Sequence, residues 1–283
     1  MATELQTTVF RIRGAAATTT EDWLAVERPL EIRARTADGH QRVVSTTMRT
    51  PGEDRALVAG FLVSERVIKH SREIRLVESL DDDTVLIELG PEAETALAAT
   101  QRPFLTTGAC GVCGRTSLDA LLEVGESVPT GQAPRISANI VHRLPSALRT
   151  AQAAFARTGG LHAAGLFTMD GRPQAVHEDV GRHNAVDKLV GTLLLAGQLP
   201  ACDGVLVVSG RASFELVQKA AIAEIPVMVA VGAPSSLAVQ IARQAGMTLL
   251  GFVRDDGFNA YCGADRLSGI DAASVAEVAG SRG

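Results

Sequence analysis

The chain has 283 residues, of which 46% are hydrophobic and 21% charged, with a formal net charge of −5 at pH 7. This length and composition suffice for one large domain or two ordinary ones, while the negative charge disfavours nonspecific binding to nucleic acid. The sequence shows neither a signal peptide nor an apolar run that could span a bilayer, and its four cysteines are too few for a disulfide scaffold, so we expect a cytoplasmic protein that binds neither nucleic acid nor membrane.

The first hundred residues predict a mixed α+β domain. Alternating patterns indicate extended segments at residues 8–13, 30–35, 42–48 and 84–89. The Ala- and Thr-rich run at residues 15–20 is interpreted as a loop. A helix is better marked, because Thr50 and Glu53 fit a Thr-x-x-Glu capping box and Pro51 fits a first helical turn.

Two cysteines, Cys110 and Cys113, lie in the glycine-rich segment at residues 106–115. Glycine lets the backbone turn tightly around the two sulfurs. A helix predicted at residues 116–124 would bring its positive end close, and Arg115 adds a full charge. Both effects favour thiolate over thiol, so the segment predicts a reactive cysteine site.

Several kinds of chemistry use this cysteine spacing. A structural zinc site would need further ligands, and a zinc deaminase would need an upstream His-x-Glu and a proline where Ala109 stands. A thiol-disulfide oxidoreductase and a persulfide carrier both remain compatible with the spacing. Simple packing of the two side chains is the structural alternative.

The middle of the chain predicts a helix and a pair of extended segments. The helix is expected at residues 145–157 and is stopped by Gly159 and Gly160. The pair is joined at residues 170–171 and carries His162 and His177.

Ionisable groups are dense at residues 177–188. The functional interpretation places Arg182 and His183 beside the cysteine segment, as anion-binding or acid-base groups. The structural alternative makes Asn184 or Asp179 a helix cap and puts Asp187 and Lys188 on a solvated face.

The last third of the chain predicts parallel β-strands joined by helices. Apolar runs at residues 205–208, 227–231 and 249–253 alternate with helical patterns at 214–223 and 236–245. Ligands commonly bind at the turns that follow such strands, here residues 209–213 and 232–236. The segment at residues 251–261 adds aromatic, basic and acidic side chains suited to a nucleotide base, although Phe252 and Phe258 could simply pack a polar loop.

Four blocks of the sequence together resemble the FdhD family of formate dehydrogenase accessory sulfurtransferases. They are MRTPG at residues 48–52, TTGACGVCG at 106–114, EDVGRHNAVDK at 178–188 and GFVR at 251–254. The blocks occur in order over nearly the whole chain, and their joint presence is far more specific than an isolated Cys-x-x-Cys.

The resemblance implies an α/β fold. Residues 101–283 would form a three-layer domain similar to cytidine deaminase but without its zinc chemistry, so no metal site is expected. Residues 1–100 would form the smaller N-terminal domain. A homodimer is also expected from the resemblance.

The resemblance also implies an activity. A cysteine desulfurase would load sulfur onto Cys110 as a persulfide, with Cys113 assisting, and the sulfur would pass to the bis(molybdopterin guanine dinucleotide) molybdenum cofactor destined for formate dehydrogenase. The cofactor, and GDP as its analogue, would bind the segment matching the family's cofactor-binding loop, which comprises Phe252, Val253, Arg254, Asp255, Asp256 and Gly257.

One feature departs from a simple anion site, because Asp255 and Asp256 make this loop acidic. Recognition of the anionic cofactor would then depend on Arg254, backbone amides or contacts to the base. Two alternative functions stay open at this point. The chain could be a chaperone that binds the cofactor without persulfide chemistry, or a thiol-disulfide oxidoreductase.

Overall fold

The computed structural model describes residues 2–36, 38–99 and 134–270, together with the backbone of residues 104–106. The described residues form two compact units. The first unit draws on Met1–Leu121, Ala151–Ala164 and His177–Gln198, and the second on Leu122–Thr150, Gly165–Val176 and Leu199–Gly283. Both units therefore combine segments that are distant in sequence.

The described residues contain both strands and helices. The strands are β1 Glu4–Arg13, β2 Ala16–Ala25, β3 Arg28–Arg35, β4 Gln41–Arg49, β5 Ile74–Ser79, β6 Thr84–Leu89, β7 Phe104–Thr106, β8 Ile136–Ser137, β9 His162–Thr168, β10 Pro173–Asp179, β11 Gly204–Val208, β12 Val227–Ala230, β13 Thr248–Gly251, β14 Asn259–Cys262 and β15 Leu267–Ser268. The α-helices are α1 Asp54–Ser64, α2 Pro91–Ala99, α3 Ala138–Ala151, α4 Ala153–Thr158, α5 Arg182–Leu195, α6 Phe214–Ile222 and α7 Ser236–Gln244. Short 3₁₀ helices lie at Ser71–Glu73 and Ala264–Arg266.

The first unit contains a five-stranded mixed sheet in the order β5-β6-β3-β4-β7. β3 runs antiparallel to β4 and parallel to β6, and β7 lies parallel to β4 at the edge. Alternating side chains of β3 are buried, including Leu30 and Ile32, which is the pattern of a strand with one face on a core. β1 and β2 form a separate two-stranded antiparallel hairpin.

Helices α1 and α5 pack unusually closely within the first unit. A Cβ atom built on Gly60 would lie 1.8 Å from the backbone oxygen of Asp187, and one built on Gly191 would lie 1.8 Å from that of Ala56. Only glycine at these two positions lets the helix backbones approach so far. Residues 56–64 of α1 are all buried.

The second sheet has the order β10-β9-β11-β12-β13-β14. β11, β12 and β13 are parallel and fully buried, and β14 pairs antiparallel with β13. β8 and β15 form a short parallel pair. The mixed α/β class expected from sequence is confirmed, as are the parallel strands joined by α6 and α7. The layering of a cytidine deaminase and the domain boundary after residue 100 stay predictions.

Three local expectations were wrong. Residues 15–20 lie largely in β2 and not in a loop. Thr50 and Pro51 do not begin a helix, because α1 starts at Asp54 with Glu53 at its N-cap, and the Thr50 hydroxyl accepts a hydrogen bond from the Val180 backbone instead. The third is the helix expected at residues 145–157.

Two helices occupy the region where one was expected. α3 begins before the expected start and contains Pro145, and α4 follows and ends at Gly159 in the left-handed conformation. Gly159 therefore stops the helical region as expected. The pair of strands joined at residues 170–171 is confirmed as β9 and β10. The helix predicted at residues 116–124 lies outside the described residues. None of the described helices is long and apolar enough to cross a membrane.

Candidate functional sites

The predicted catalytic residues, Cys110 and Cys113, lie outside the described residues. The backbone immediately before them is described as far as the end of β7. There Thr106 stands next to Thr47 of β4 in parallel register. The cysteine segment therefore follows an edge strand of the first unit's sheet.

A buried ion pair joins Asp179 at the end of β10 to Lys188 of α5, with 2.8 Å between Oδ2 and Nζ. Asp179 is 0% exposed and Lys188 1%. The Lys188 ammonium also donates to the carbonyl oxygens of Thr50 and Glu178. Burial raises the pKa of the Asp179 carboxyl, and the adjacent ammonium opposes that shift.

The remaining acceptor positions of Asp179 are also filled. Its carboxylate accepts hydrogen bonds from the backbone of Thr50 and Gly181 and from the side chain of Asn184. Asn184 in turn donates to the Met48 carbonyl at 2.7 Å. This arrangement, the Asp179–Lys188 network, holds the segment after β4 against the start of α5. It uses its polar groups internally and is therefore a structural element.

The alternative that placed Asp187 and Lys188 on a solvated face is wrong. Both side chains are buried, and Asp187 accepts a hydrogen bond of 2.7 Å from the hydroxyl of Ser64 in α1. Asp187 and Lys188 point into the unit because α1 covers that side of the helix. Lys188 and Asp187 thereby help to fix the crossing of the two helices.

Arg182 and His183 form the first turn of α5, which Gly181 begins without a side-chain cap. Arg182 has a buried Nε without a hydrogen-bond partner among the described residues. Burial lowers the pKa of His162 at the start of β9, and the charges of Arg182 and His183 lower it further. These three basic side chains thus lie near one another at a helix N-terminus. Their proximity to the cysteine segment stays a prediction.

His177 and Glu53 form a second pair in the first unit, with 2.8 Å between Nδ1 and Oε1. The His177 side chain is 7% exposed, and its Nε2 has no hydrogen-bond partner among the described residues. The hydrogen bond from His177 lowers the pKa of the Glu53 carboxyl. Glu53 adopts a left-handed backbone conformation with φ of 57° at the N-cap of α1. The pair therefore fixes the entry into α1 against β10.

The second unit contains the loop at residues 252–257, which follows β13. Phe252 has φ of 54°, a conformation that is strained for a bulky side chain, and the side chain is 46% exposed. The loop closes through a hydrogen bond from the Arg254 backbone to the Gly257 carbonyl. The Arg254 guanidinium donates through Nη1 to the carbonyls of Val231 and Val253. Strained backbone positions cluster at functional sites, so the exposed Phe252 ring is a candidate ligand contact.

The loop borders a cleft of about 480 Å³ in the second unit. The lining residues are Pro145, Ser146, Val231, Val253, Arg254, Asp255 and Asp256. This volume lies within the range of small-molecule sites. Four of the six residues predicted for the cofactor therefore line one cleft, and Phe252 precedes them. The acidic side chains are exposed, so the cleft offers hydrogen-bond acceptors to a ligand.

His142 of α3 is a loop contact that sequence analysis missed. Its Nδ1 lies 2.9 Å from the Arg254 carbonyl oxygen and donates to it, because a carbonyl can only accept. Its ring also lies against Phe258, with 5.1 Å between centroids. His142 precedes Arg254 by 112 residues, so no local pattern connects them. A proline three residues after His142 in an amphipathic helix is the only sequence signal nearby.

Among the described residues, no three His, Cys, Asp or Glu side chains converge as a metal site requires. Cys202 and Cys262 are free cysteines, and burial raises the thiol pKa of both. Neither residue has the surroundings of a reactive thiol.

Comparison with known proteins decides the family. The model of the FdhD/NarQ family matches residues 25–268. The chain belongs to the FdhD/NarQ family. Three FdhD proteins, each named "Sulfur carrier protein FdhD", illustrate how similar its curated relatives are. The protein from Nocardia farcinica is 47% identical over 269 residues, covering 93% of this chain and 95% of that protein.

The second FdhD relative, from Streptomyces coelicolor, is 46% identical and covers 92% of this chain and 94% of its own length. The third, from Mycobacterium tuberculosis, is 45% identical, and the match covers 88% of this chain and 93% of that protein. A crystal structure described as that of a formate dehydrogenase accessory protein from Desulfotalea psychrophila has a TM-score of 0.73 at 23% identity. The match covers 94% of this chain and 100% of that structure. The two proteins therefore share a fold.

Proposed function

We propose that this FdhD/NarQ protein is a cytoplasmic sulfur carrier, which accepts sulfur from a cysteine desulfurase and delivers it to the molybdenum cofactor of formate dehydrogenase. The supporting observation is family membership over residues 25–268, combined with Cys110 and Cys113 in the sequence block expected for the family. The curated relatives are named sulfur carriers, and the structural neighbour is described as an accessory protein of formate dehydrogenase.

The loading step is a sulfur exchange without net oxidation. The Cys110 thiolate attacks the outer sulfur of a persulfide on the desulfurase, and a new sulfur-sulfur bond forms on Cys110. The sulfur-sulfur bond of the donor breaks, and the desulfurase cysteine leaves as a thiolate. Cys110 then carries the transferred sulfur as a persulfide.

The delivery step needs two electrons, because the persulfide sulfur must leave as sulfide. Cys113 supplies them when its thiolate attacks the inner sulfur of the Cys110 persulfide. The sulfur-sulfur bond of the persulfide breaks and hydrosulfide departs toward the bound cofactor, which is the substrate. The two cysteines are left as a disulfide, and a cellular dithiol reductant restores both thiols.

The cysteine segment begins at the end of β7, which is held in the sheet by β4. Thr106 ends β7 beside Thr47, whose hydroxyl donates to Asn184 of the Asp179–Lys188 network. Four residues of extended chain reach about 14 Å at most, so Cys110 is tethered to this end of the sheet. Gly181 and Asn184 of the network lie at the N-terminus of α5, where Arg182 also lies, and the positive charge there would stabilise a thiolate that approached it.

We propose that the cleft beside residues 252–257 binds the guanine nucleotide part of the cofactor. Phe252 offers an exposed ring for stacking, and Asp255 or Asp256 can accept hydrogen bonds from the two nitrogen donors on the edge of guanine. Nη1 of Arg254 already bonds to backbone carbonyls, which leaves its other nitrogens for phosphate oxygens.

Intact-mass spectrometry tests the sulfur carrier function. The protein is incubated with a cysteine desulfurase and cysteine, and we expect the mass of one added sulfur on Cys113→Ala, in which no second thiolate can break the Cys110 persulfide. The wild type should carry the added sulfur only until Cys113 releases it as hydrosulfide and the disulfide forms. Cys110→Ala should gain none. Added sulfur on Cys110→Ala at the level of Cys113→Ala would contradict the role of Cys110. A reversible disulfide with turnover on generic disulfide substrates, and no added sulfur, would favour the oxidoreductase.

Calorimetry tests the cleft. GDP should bind the wild type and should bind Phe252→Ala and Asp256→Ala about tenfold more weakly or worse, since stacking contributes about 1–3 kcal/mol per base. ADP is the matched ligand control, because adenine lacks the donor pattern that a carboxylate recognises in guanine. Undiminished GDP affinity in both variants would remove the cleft from the proposal.

A cofactor-binding chaperone is the second candidate, because the cleft and the strained Phe252 require no reactive cysteine. The two functions differ in the cell. Under the sulfur carrier proposal, Cys110→Ala leaves formate dehydrogenase inactive. Full activity of formate dehydrogenase with Cys110→Ala, together with loss of activity in Phe252→Ala, would establish the chaperone.

A further inference from the structure

The loop at residues 252–257 is held more firmly at its start than at its acidic tip. The backbone N–H groups of Phe252 and Val253 donate to carbonyl oxygens at the end of β12 and just beyond it, at 3.1 and 3.2 Å. The tip carries Asp255 and Asp256, which are exposed, and their side chains bond to no other residue in the described part of the chain. The placement of these carboxylates therefore depends on how the backbone from residue 254 onward is fixed.

His142 contacts the chain on both sides of the acidic tip. Its Nδ1 donates to the Arg254 carbonyl oxygen at 2.9 Å. Its ring lies 5.1 Å from the ring of Phe258 between centroids, with the two planes tilted by 55°. The contact between the rings favours one orientation of the imidazole, the one in which Nδ1 meets the carbonyl. A single side chain thus fixes the residue before the two aspartates and the residue after Gly257.

Helix α3 gives His142 a firm support, because the apolar side of the helix is buried in the second unit. Residues three and four positions apart lie on the same side of a helix, so His142 shares its side with Pro145 and Ser146. Both of these residues line the cleft, as does the loop. The hydrogen bond from His142 therefore sets the position of the loop wall of the cleft relative to its helix wall.

We propose that His142 is a positioning residue for recognition of the guanine base. Its bond to the Arg254 carbonyl holds Asp255 and Asp256 where their carboxylates accept hydrogen bonds from the nitrogen donors of guanine. His142 acts through the loop backbone and does not itself contact the nucleotide. The inference rests on the proposed binding of guanine nucleotide in the cleft, to which it adds the source of selectivity for the base.

The structure separates this selectivity from general affinity for nucleotides. The groups proposed to stack on a base and to bind phosphate belong to Phe252 and Arg254. The Phe252 backbone is bonded beyond β12, and the Arg254 guanidinium donates to the carbonyls of Val231 and Val253. Neither of these anchors involves His142. Loss of His142 should therefore weaken the preference for guanine more than the binding of nucleotides in general.

Three substitutions separate the hydrogen bond of His142 from its ring contact. His142→Asn keeps a nitrogen donor on the atom bonded to Cγ, as in the imidazole, but loses the ring. His142→Phe keeps a ring against Phe258 and loses the donor. His142→Ala loses both. A role in packing alone predicts that His142→Phe retains selectivity, whereas positioning through the hydrogen bond predicts that His142→Asn does.

Calorimetry with GDP and ADP measures the selectivity. GDP affinity should fall about fivefold or more in His142→Phe and His142→Ala, and should stay within about threefold of wild type in His142→Asn. ADP affinity should change by less than about twofold in all three, because adenine does not use the carboxylates in this way. Arg143→Ala is the matched control on α3. Arg143 is exposed and donates to the Asn139 carbonyl of its own helix, so this variant should bind both nucleotides as the wild type does.

Hydrogen exchange of the ligand-free protein measures the position of the loop directly. The Arg254 N–H donates to the Gly257 carbonyl at 2.9 Å, so its protection reports whether the tip is closed. A peptide that spans residues 252–258 should exchange about fivefold faster or more in His142→Phe and His142→Ala, and as in the wild type in His142→Asn and Arg143→Ala. Thermal unfolding checks that each variant is folded.

The outcomes distinguish this inference from the proposed function. Unchanged exchange in His142→Phe and His142→Ala would overturn the positioning role. Equal losses of GDP and ADP affinity, or a His142→Asn variant no more selective than His142→Ala, would overturn the link to guanine selectivity. A wild type that binds no GDP while the exchange rates follow expectation would instead remove the proposed ligand of the cleft, and with it the guanine selectivity, and would leave His142 as the residue that positions the loop.

Discussion

The Asp179–Lys188 network and the loop at residues 252–257 are both rich in ionisable side chains, yet they use them in opposite ways. In the network the charges are buried and bonded to one another and to backbone groups. In the loop Asp255 and Asp256 are exposed beside a cleft, and Phe252 is held in a strained conformation. The density of charged residues in a sequence therefore does not by itself indicate a binding site. The two regions differ in whether the structure buries and pairs the charged side chains or exposes them beside a cleft.

Removing one partner of the buried ion pair should give the largest effect on stability. Lys188→Met leaves the Asp179 carboxylate buried without its counter-charge, and we expect the free energy of unfolding to fall by about 3–5 kcal/mol. Urea denaturation measures the change. The double variant Asp179→Leu with Lys188→Met should lose less than the sum of the single losses. Additive losses would show that the pair does not act as a unit.

Two glycine substitutions extend the comparison to packing. Gly191→Ala places a Cβ against the backbone of α1, so we expect a loss of about 1–3 kcal/mol, and more if the helices cannot separate. Gly257→Ala in the loop meets nothing within 4 Å and should change stability by less than about 0.5 kcal/mol. Thermal unfolding measures both variants. Equal decreases in their free energies of unfolding would refute the difference in packing between the two regions.

Substitution of the strained residue Phe252 should affect stability and ligand binding differently. Phe252→Gly relieves a left-handed conformation, so the melting temperature should stay the same or rise. Under the proposed binding of GDP in the cleft, GDP affinity should fall about tenfold or more because the ring proposed to stack on guanine is lost. Scanning fluorimetry and calorimetry on the same samples check both expectations. A lower melting temperature with unchanged affinity would make Phe252 a structural residue.

The Glu53–His177 pair should contribute a small stabilisation that depends on pH. The folded-state pKa of Glu53 is lowered, so its stabilising effect is present above the ordinary glutamate pKa and disappears as the pH falls through the lowered value. Glu53 is about half exposed, which limits the effect to about 0.2–1 kcal/mol. The stability difference between wild type and Glu53→Gln should therefore shrink on acidification. A difference that grows would contradict the assigned direction.

Much of the fold could be predicted from local patterns. Continuous apolar runs identified β11, β12 and β13, because strands buried on both faces lack alternation. The Asp-Gly turn identified the pair of β9 and β10. The prediction for residues 15–20 failed because β2 is held by ten residues of register with β1, which composition does not report.

The local geometry of the candidate sites was only partly predictable for the same reason. Phe252 and its acidic neighbours stood out because aromatic and charged residues follow a buried strand. Thr50 resembled a helix cap, but Asp179 and Val180 bind it across 129 and 130 residues of sequence. Contacts between residues this far apart in the sequence decide which of several locally reasonable roles a residue takes.

The bond from His142 to the Arg254 carbonyl has a practical consequence for protein engineering. The position of the loop is set by a helix that precedes it by more than a hundred residues, as well as by its own six amino acids. Grafting residues 252–257 alone onto a related scaffold should therefore fail to transfer the GDP binding proposed for the cleft. A chimera would need α3 together with the loop.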